Sequence, residues 1–306
     1  MALWRRRDRA CSCHYRSVHG HRLRRRLLLG GAGYHVFGSV RRAEDGERVR
    51  SELGDGFTPL LFDVTDEAAV HAAAAMVADQ VGDAGLAGLV NNAGMAVSGP
   101  AQHVALDAFR RQLEVNVIGL IGVTQAFLPL LGARHPCPHP PGRIVNIGSV
   151  SGRVGYPFLG PYVASKHAVE GFSDSLRREL MLYGVDVIVI EAGAVKTAIW
   201  DKEQEHDPAQ FAATDYYPMV QHSAGMTAKL ARTAMPVAKM TALIVTALET
   251  PRPKARYVLL KPDSRVTGWW LARFAPTRWF DGQVAKLLNL RPSALQKQNR
   301  ATDRHR

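Results

Sequence analysis

From Tyr34 onward, short runs of Val, Ile and Leu alternate with stretches whose apolar residues recur every three or four positions. The runs YHVFGSV (34–40), FTPLLFDV (57–64), LAGLVNNAG (86–94), GRIVNIGS (142–149), VDVIVIEAG (185–193) and ARYVLL (255–260) are predicted strands. Strands that are apolar along their whole length, with helical segments between them, indicate a parallel sheet covered on both faces. Long helices fit Leu106–Leu131 and Tyr162–Tyr183, and the proline-rich RHPCPHPPG (134–142) ends the first of them before its strand. The fold class this predicts is α/β, a single doubly wound domain with a mainly parallel sheet.

In such sheets ligands lie beyond the carboxyl ends of the strands. The polar punctuation falls there: Asp63, Asn91 to Gly94, Ser149 and Gly193 each stand where a predicted strand stops. The segment GPYVASKHAVEGFSDSLRREL (160–180) adds a Tyr and a Lys four residues apart. On a helix, Tyr162 and Lys166 share one face. An ammonium beside a phenol stabilises the phenolate, giving a general acid/base able to work near neutrality. Alone, such a pair also describes a solvated helix face. Ser149 closes an apolar strand thirteen residues upstream and is placed to hydrogen-bond a substrate oxygen. Asn116 lies inside the apolar LEVNVIGLIGV, where a buried amide must find partners. It is there either as a helix-kinking structural group or as a water-holding link in a proton relay.

Together with NNAG (91–94), these residues resemble the short-chain dehydrogenase/reductase family, hydroxysteroid and retinol dehydrogenase branch, over about Gly31 to Tyr257. The resemblance implies a Rossmann-like domain and hydride transfer with a nicotinamide dinucleotide. It implies that Tyr162 gives and takes the proton, and that Lys166 lowers the Tyr162 pKa and binds the nicotinamide ribose. Ser149 would hold and polarise the carbonyl, and Asn116 would position a water. Asn91, Ala93 and Gly94 resemble the segment that lets the cofactor approach the fourth strand, and Asp63 with Val64 the adenine-binding end of the third. Asp63 reads equally as a helix cap ahead of the next helix. EAGAVKTAIW (191–200) resembles the segment that meets the carboxamide through Gly193, Val195 and Thr197, with Ala192 where the family usually has proline.

Charge changes the picture at one end only. The net charge is +12, yet residues 1–26 alone hold nine Arg against one acid. The other 280 residues carry 30 basic and 26 acidic groups, so the body offers no basic face for nucleic acid. Residues 1–30 also lack the TGxxxGxG turn that sets a pyrophosphate against backbone N–H groups in this family. A targeting arm would leave the domain without a first strand, because the second begins at Tyr34. The first strand, turn and helix must therefore occupy roughly residues 10 to 33. Read one base downstream, the codons of Cys11–Arg25 admit synonymous choices that spell VLVITGASTGIGYAA. We expect a frame error compensated near residues 27–31. A true loss of the loop and a nucleic-acid arm are the alternatives.

The second strand ends GSVRR, with Ser39, Arg41 and Arg42 and no acid to hold ribose hydroxyls. Arg there suits a 2′-phosphate, so NADP is expected, with NAD as the alternative. The arginines read otherwise as solvation of a strand end. The domain is expected over 31–262, with a substrate lid at about 198–235 where Trp200, Phe211, Tyr216, Tyr217 and Met219 line an apolar pocket or pack the core. A helical extension and polar tail follow over 263–306. Its aromatics and basic residues fit a pocket cover or subunit contact, and less well peripheral membrane attachment.

Three cysteines, at 11, 13 and 137, support no disulfide framework, and no run of 18 apolar residues appears, so a cytoplasmic protein is expected. The family's habits imply a homodimer or homotetramer through the two long helices. The expected function is alcohol–carbonyl interconversion on an apolar steroid-, retinoid- or lipid-like small molecule. The alternative is a cofactor-free relative acting as an interaction protein, because the glycine turn is absent.

Overall fold

The computed structural model describes residues 10–14, 34–197, 207–261 and 271–293. Among them, seven strands form one sheet: β1 (Ala10–His14), β2 (His35–Val40), β3 (Phe57–Leu61), β4 (Leu86–Asn91), β5 (Arg143–Ile147), β6 (Asp186–Ala192) and β7 (Arg256–Leu259). Their order is β3-β2-β1-β4-β5-β6-β7, and every pairing is parallel. This is the expected doubly wound architecture, with its topological switch between β1 and β4. The first strand begins where the spacing required it, with Ala10 opposite His35 on one side and Leu86 on the other. The expected turn and helix after it, at 15–33, lie outside the described residues.

The helices are α1 (Ala43–Leu53), α2 (Glu67–Val81), α3 (Leu106–Leu113), α4 (Gly119–Phe127), α5 (Gly160–Glu179), α6 (Tyr217–Arg232), α7 (Val237–Glu249) and α8 (Thr277–Leu287). They explain why the strands are apolar throughout rather than alternating. Val36, Val90, Val145 and Ile188 pack with Val49 and Leu53 of α1 and Met240 and Ile244 of α7. Their chain neighbours Phe37, Leu89, Ile144 and Val187 pack with Val70 and Val77 of α2, Phe127 of α4 and Leu176 of α5. Each strand is thus buried on both sides, and both positions of its two-residue period must be hydrophobic.

The long helical stretch Leu106–Leu131 is not uniform. A π-turn, Glu114–Ile118, separates α3 from α4, and a 3-10 turn, Leu128–Leu131, ends it ahead of the left-handed Gly132. By length and composition this stretch is apolar enough to cross a membrane, a property that a count of consecutive apolar residues misses. Val115, Val123, Phe127 and Leu131 pack it onto the sheet instead. The expected C-terminal helix forms as α8, with no fully buried residue in it and with Phe274, Trp279 and Leu287 exposed around it.

Candidate active site

The carboxyl ends of β4, β5 and β6 bring the predicted chemistry to one edge. Helix α5 starts at Gly160 with Pro161 in its first turn, where a missing N–H costs nothing. That start places Tyr162 half-buried in the first turn and Lys166 buried one turn on. The Lys166 ammonium lies 5.8 Å from the centre of the Tyr162 ring and donates to the Ile147 carbonyl at the end of β5, 2.8 Å away. Burial lowers the Lys166 pKa to about 8, and the Glu170 carboxylate one turn further along raises it. A cation is therefore held in a desolvated place beside a phenol.

Ser149 follows β5 and caps the short turn Val150–Gly152. Its Oγ accepts from Ser151 N at 3.1 Å, so the hydroxyl proton is left to point elsewhere. The side chain is buried, at 5% exposure.

Asn116 sits within the π-turn, a feature that inserts one residue into a helix and recurs at functional sites. Its Oδ1 accepts from Met95 N at 2.9 Å, and its Nδ2 donates to Met95 O and to Ser165 Oγ, each at 3.0 Å. Ser165 Oγ in turn donates to the Tyr162 carbonyl at 2.7 Å. Its carboxamide ties the loop after β4 to the first turn of α5. Gln112 repeats the device, accepting from Val97 N and donating to Met95 O at 2.7 Å each. Nothing in the sequence marked Gln112 except a polar residue on an apolar helix face.

The expected cofactor residues divide. Val64, Ala93 and Asn91 line a cleft with Gly119, Leu120 and Val123. Gly94 lies close to the amide of Asn116, whose Oδ1 would be 3.4 Å from a Cβ there. Asn91 turns its side chain inward, donating to Thr124 Oγ1 (2.8 Å) and Asn146 Oδ1 (2.9 Å), so its amide braces the sheet edge. Asp63 does not cap the next helix. Asp66 does, accepting from Ala69 N at 3.0 Å, while Asp63 Oδ1 takes both Thr65 N and Thr65 Oγ1. Arg41, exposed beyond β2, stands 4.0 Å from the other oxygen of Asp63, and Ser39 is buried within the strand.

Gly193 leaves β6 where a side chain would strike Leu260, 2.5 Å from a Cβ built there. Val195 is buried and bridged to Met235, and Thr197 is half-buried at the last described position before residue 207. Trp200 lies outside the described residues. Phe211 and Met219 are buried, whereas Tyr216 meets Phe158 and His103 edge-on at 6.1 and 6.0 Å. Phe158 adopts φ 64°, a left-handed conformation rare for a bulky residue, just ahead of α5.

A family model described as short chain dehydrogenase matches residues 21–208. The chain belongs to the short-chain dehydrogenase family. It is an oxidoreductase by that membership. Over 227 residues it is 41% identical to the NADPH-dependent 3-dehydrocapnine reductase of Ornithobacterium rhinotracheale, covering 74% of this chain and 80% of that one. It is 41% identical over 177 residues to human retinol dehydrogenase 16, covering 58% of this chain and 54% of the relative. Among solved structures, a short-chain dehydrogenase from Streptomyces avermitilis superposes with a TM-score of 0.68 at 25% identity, over 96% of this chain and 98% of the other. The short-chain dehydrogenase fold is thus matched along nearly the whole length of the chain.

Proposed function

We propose that this short-chain dehydrogenase interconverts an alcohol and its carbonyl compound on an apolar, steroid-, retinoid- or lipid-like substrate, using NADP. The observation that carries the reading is the buried Lys166 ammonium beneath the Tyr162 ring. A bound nicotinamide dinucleotide supplies or takes up the hydride. Tyr162 gives the proton to the substrate oxygen during reduction and takes it back during oxidation, with Lys166 stabilising its phenolate. Ser149 donates its free hydroxyl proton to the same oxygen, and Asn116 keeps the loop after β4 fixed against the catalytic helix. The aromatic surface of Tyr216, Phe158 and His103 supports an apolar substrate, as does the relative named for retinol.

Two groups of residues suit the ends of a dinucleotide: Lys166 on the nicotinamide side, and Val64, Ala93 and Gly119, which line a narrow cleft, on the adenine side. Exposed Arg41, with no acid at the end of β2, favours a 2′-phosphate, and the NADPH-dependent relative supports that choice. Between these ends, the glycine turn is missing from residues 15–30. We read residues 11–25 as the product of a displaced reading frame. Strand β1 spans Ala10–His14, and the alternative frame puts Val-Leu-Val-Ile on positions 11–14 and the glycine turn directly after its carboxyl end.

Tyr162→Phe tests the function. It should lower turnover of a steroid ketone or retinaldehyde with NADPH by about 10²–10⁴-fold, the usual share of general acid–base catalysis, with an unchanged melting temperature. Retention of most of the activity refutes the role of Tyr162. A chain that folds but binds no NADPH in either frame favours the interaction-protein alternative.

A further inference from the structure

Behind the catalytic pair lies a cluster of buried charge. Glu170 follows Lys166 by one turn of α5 and is 4% exposed; Glu191, in β6, is 1% exposed. Glu170 Oε2 is held by Arg153 Nη2 at 3.1 Å and Arg256 Nε at 3.0 Å. Glu191 Oε1 is held by Arg153 Nε at 3.0 Å and lies 3.5 Å from Arg256 Nε. Arg256 reaches Asp174 at 2.7 Å, and Arg177 pairs with Asp174 at 3.1 Å. Three carboxylates therefore face three guanidinium groups at the junction of α5, β6, β7 and the turn after Ser149.

Stability alone is a weak reason for such a cluster, since buried ion pairs seldom outweigh their desolvation. Its placement gives another. Arg153 stands four residues after Ser149, Glu170 four after Lys166, and Glu191 two before Gly193. The turn after β5 is pressed onto α5 so closely that a Cβ on Gly152 would sit 2.9 Å from the Lys166 carbonyl and 3.0 Å from Glu170 Cγ. The second oxygen of Glu170, Oε1, accepts no hydrogen bond and lies 3.1 Å from a Cβ position on Gly148, between Ile147 and Ser149. The arginines thus fix one oxygen and leave the carboxylate against the strand end where Lys166 Nζ is anchored.

We propose that Glu170 is a positioning residue for catalysis, whose clamped carboxylate keeps Lys166 charged beneath Tyr162. The proposal rests on Tyr162 being the acid/base. The titratable groups around Lys166 are Tyr162 and Glu170 on its own helix, and its ammonium donates to the neutral Ile147 carbonyl from β5. Behind Glu170 stand Arg153, Glu191, Arg256, Asp174 and Arg177. Glu170 Oε2 is held between two guanidinium groups; burial, the largest cause, and the Glu191 carboxylate hold the Glu170 pKa above its ordinary value, while Arg153 and Arg256 lower it. The sign follows from distance. Glu170 is one turn from Lys166, about 6 Å along the axis, and two turns from Tyr162, about 12 Å. Its attraction for the ammonium therefore outweighs its repulsion of the phenolate. Without it Lys166 loses its proton at lower pH, and Tyr162 ionises at higher pH.

Tyrosinate absorbance reads this without substrate or cofactor. The difference between the titrations of the wild-type chain and Tyr162→Phe isolates the Tyr162 phenol, and the same difference is taken in Glu170→Gln and Glu191→Gln backgrounds. Glu170→Gln should raise the Tyr162 midpoint by about one pH unit, at the low end of what an adjacent charge does. Glu191→Gln, which breaks the same arginine contacts without facing Lys166, should lower the melting temperature and leave the midpoint in place. Glu170→Asp should shift the midpoint in the same direction by less than half as much, and it carries the test if Glu170→Gln does not fold. No shift in the folded Glu170 variants, or an equal shift in Glu191→Gln, overturns the proposal. A wild-type midpoint at or above the ordinary phenol value of about 10 instead removes the reading of Tyr162 itself.

Discussion

The carboxyl ends of β5 and β6 and the carboxyl end of β1 belong to the same sheet edge, yet they are specified in opposite ways. At β5 and β6 the site is over-determined. Lys166 is fixed by its helix and by the Ile147 carbonyl, and Asn116 joins the loop after β4 to the first turn of α5. At β1 the backbone alone marks the site. The strand takes its central position between β2 and β4, followed by a sequence with no glycine turn. A site built from side chains announces itself in several residues at once. A site built from backbone N–H groups depends on a few glycines and vanishes if one short stretch is misread.

The sharpest break of this contrast is replacement of residues 11–25 by the alternative-frame VLVITGASTGIGYAA. Because phosphate contacts at the turn anchor the whole dinucleotide, NADPH affinity should rise at least 100-fold, about 3 kcal/mol, by fluorescence titration. Resequencing the source DNA should show one base gained or lost near codon 11 and a compensating change between about codons 26 and 33. An intact frame together with tight NADPH binding would overturn the account of the N-terminus.

At the catalytic end the corresponding lever is proton linkage. The folded Lys166 pKa is about 8 and the unfolded value 10.5, so between these pH values the unfolded chain binds more protons and stability rises with pH. Against Lys166→Met, the wild-type chain should therefore gain about 3 kcal/mol between pH 7.5 and 10.5, read from denaturant midpoints. A flat difference would mean that Lys166 is not desolvated. The smallest effect should come from Arg41→Ala, which leaves the fold alone and lowers the preference for NADPH over NADH about tenfold. An unchanged ratio would assign Arg41 to Asp63 alone.

Much of this was legible in the chain. Tyr162 and Lys166 were readable because four residues is a helical spacing, and Ser149 and Gly193 because strand ends in a parallel sheet face the ligand. All six strands read from Tyr34 onward formed within a few residues of their expected limits. What escaped depends on pairs distant in sequence. Glu170 and Arg256 are 86 residues apart, and no local pattern joins them. The inward turn of Asn91 depends on Asn146, and the choice of Asp66 over Asp63 as helix cap depends on backbone angles. Glu191, an acid inside an otherwise apolar strand, belongs to a residue type almost never buried without a partner.

Asn91 and Asn146 have a consequence for assembly of the sheet. They face each other across β4 and β5 and are hydrogen-bonded, with Thr124 on α4 and Ser173 on α5 completing a buried polar line. A one-residue slip of β5 would turn Asn146 to the opposite face. The Asn91 and Asn146 amides would then lose partners, each lost bond costing about 1–3 kcal/mol, while Thr124 and Ser173 would keep their bonds to the Leu120 and Val169 carbonyls. Apolar strands packed on both sides discriminate poorly between registers, since every offset buries oil against oil. The asparagine pair supplies the missing discrimination: it is a proofreading contact, and only the alignment that sets Asn146 opposite Asn91 at the end of β4 passes it.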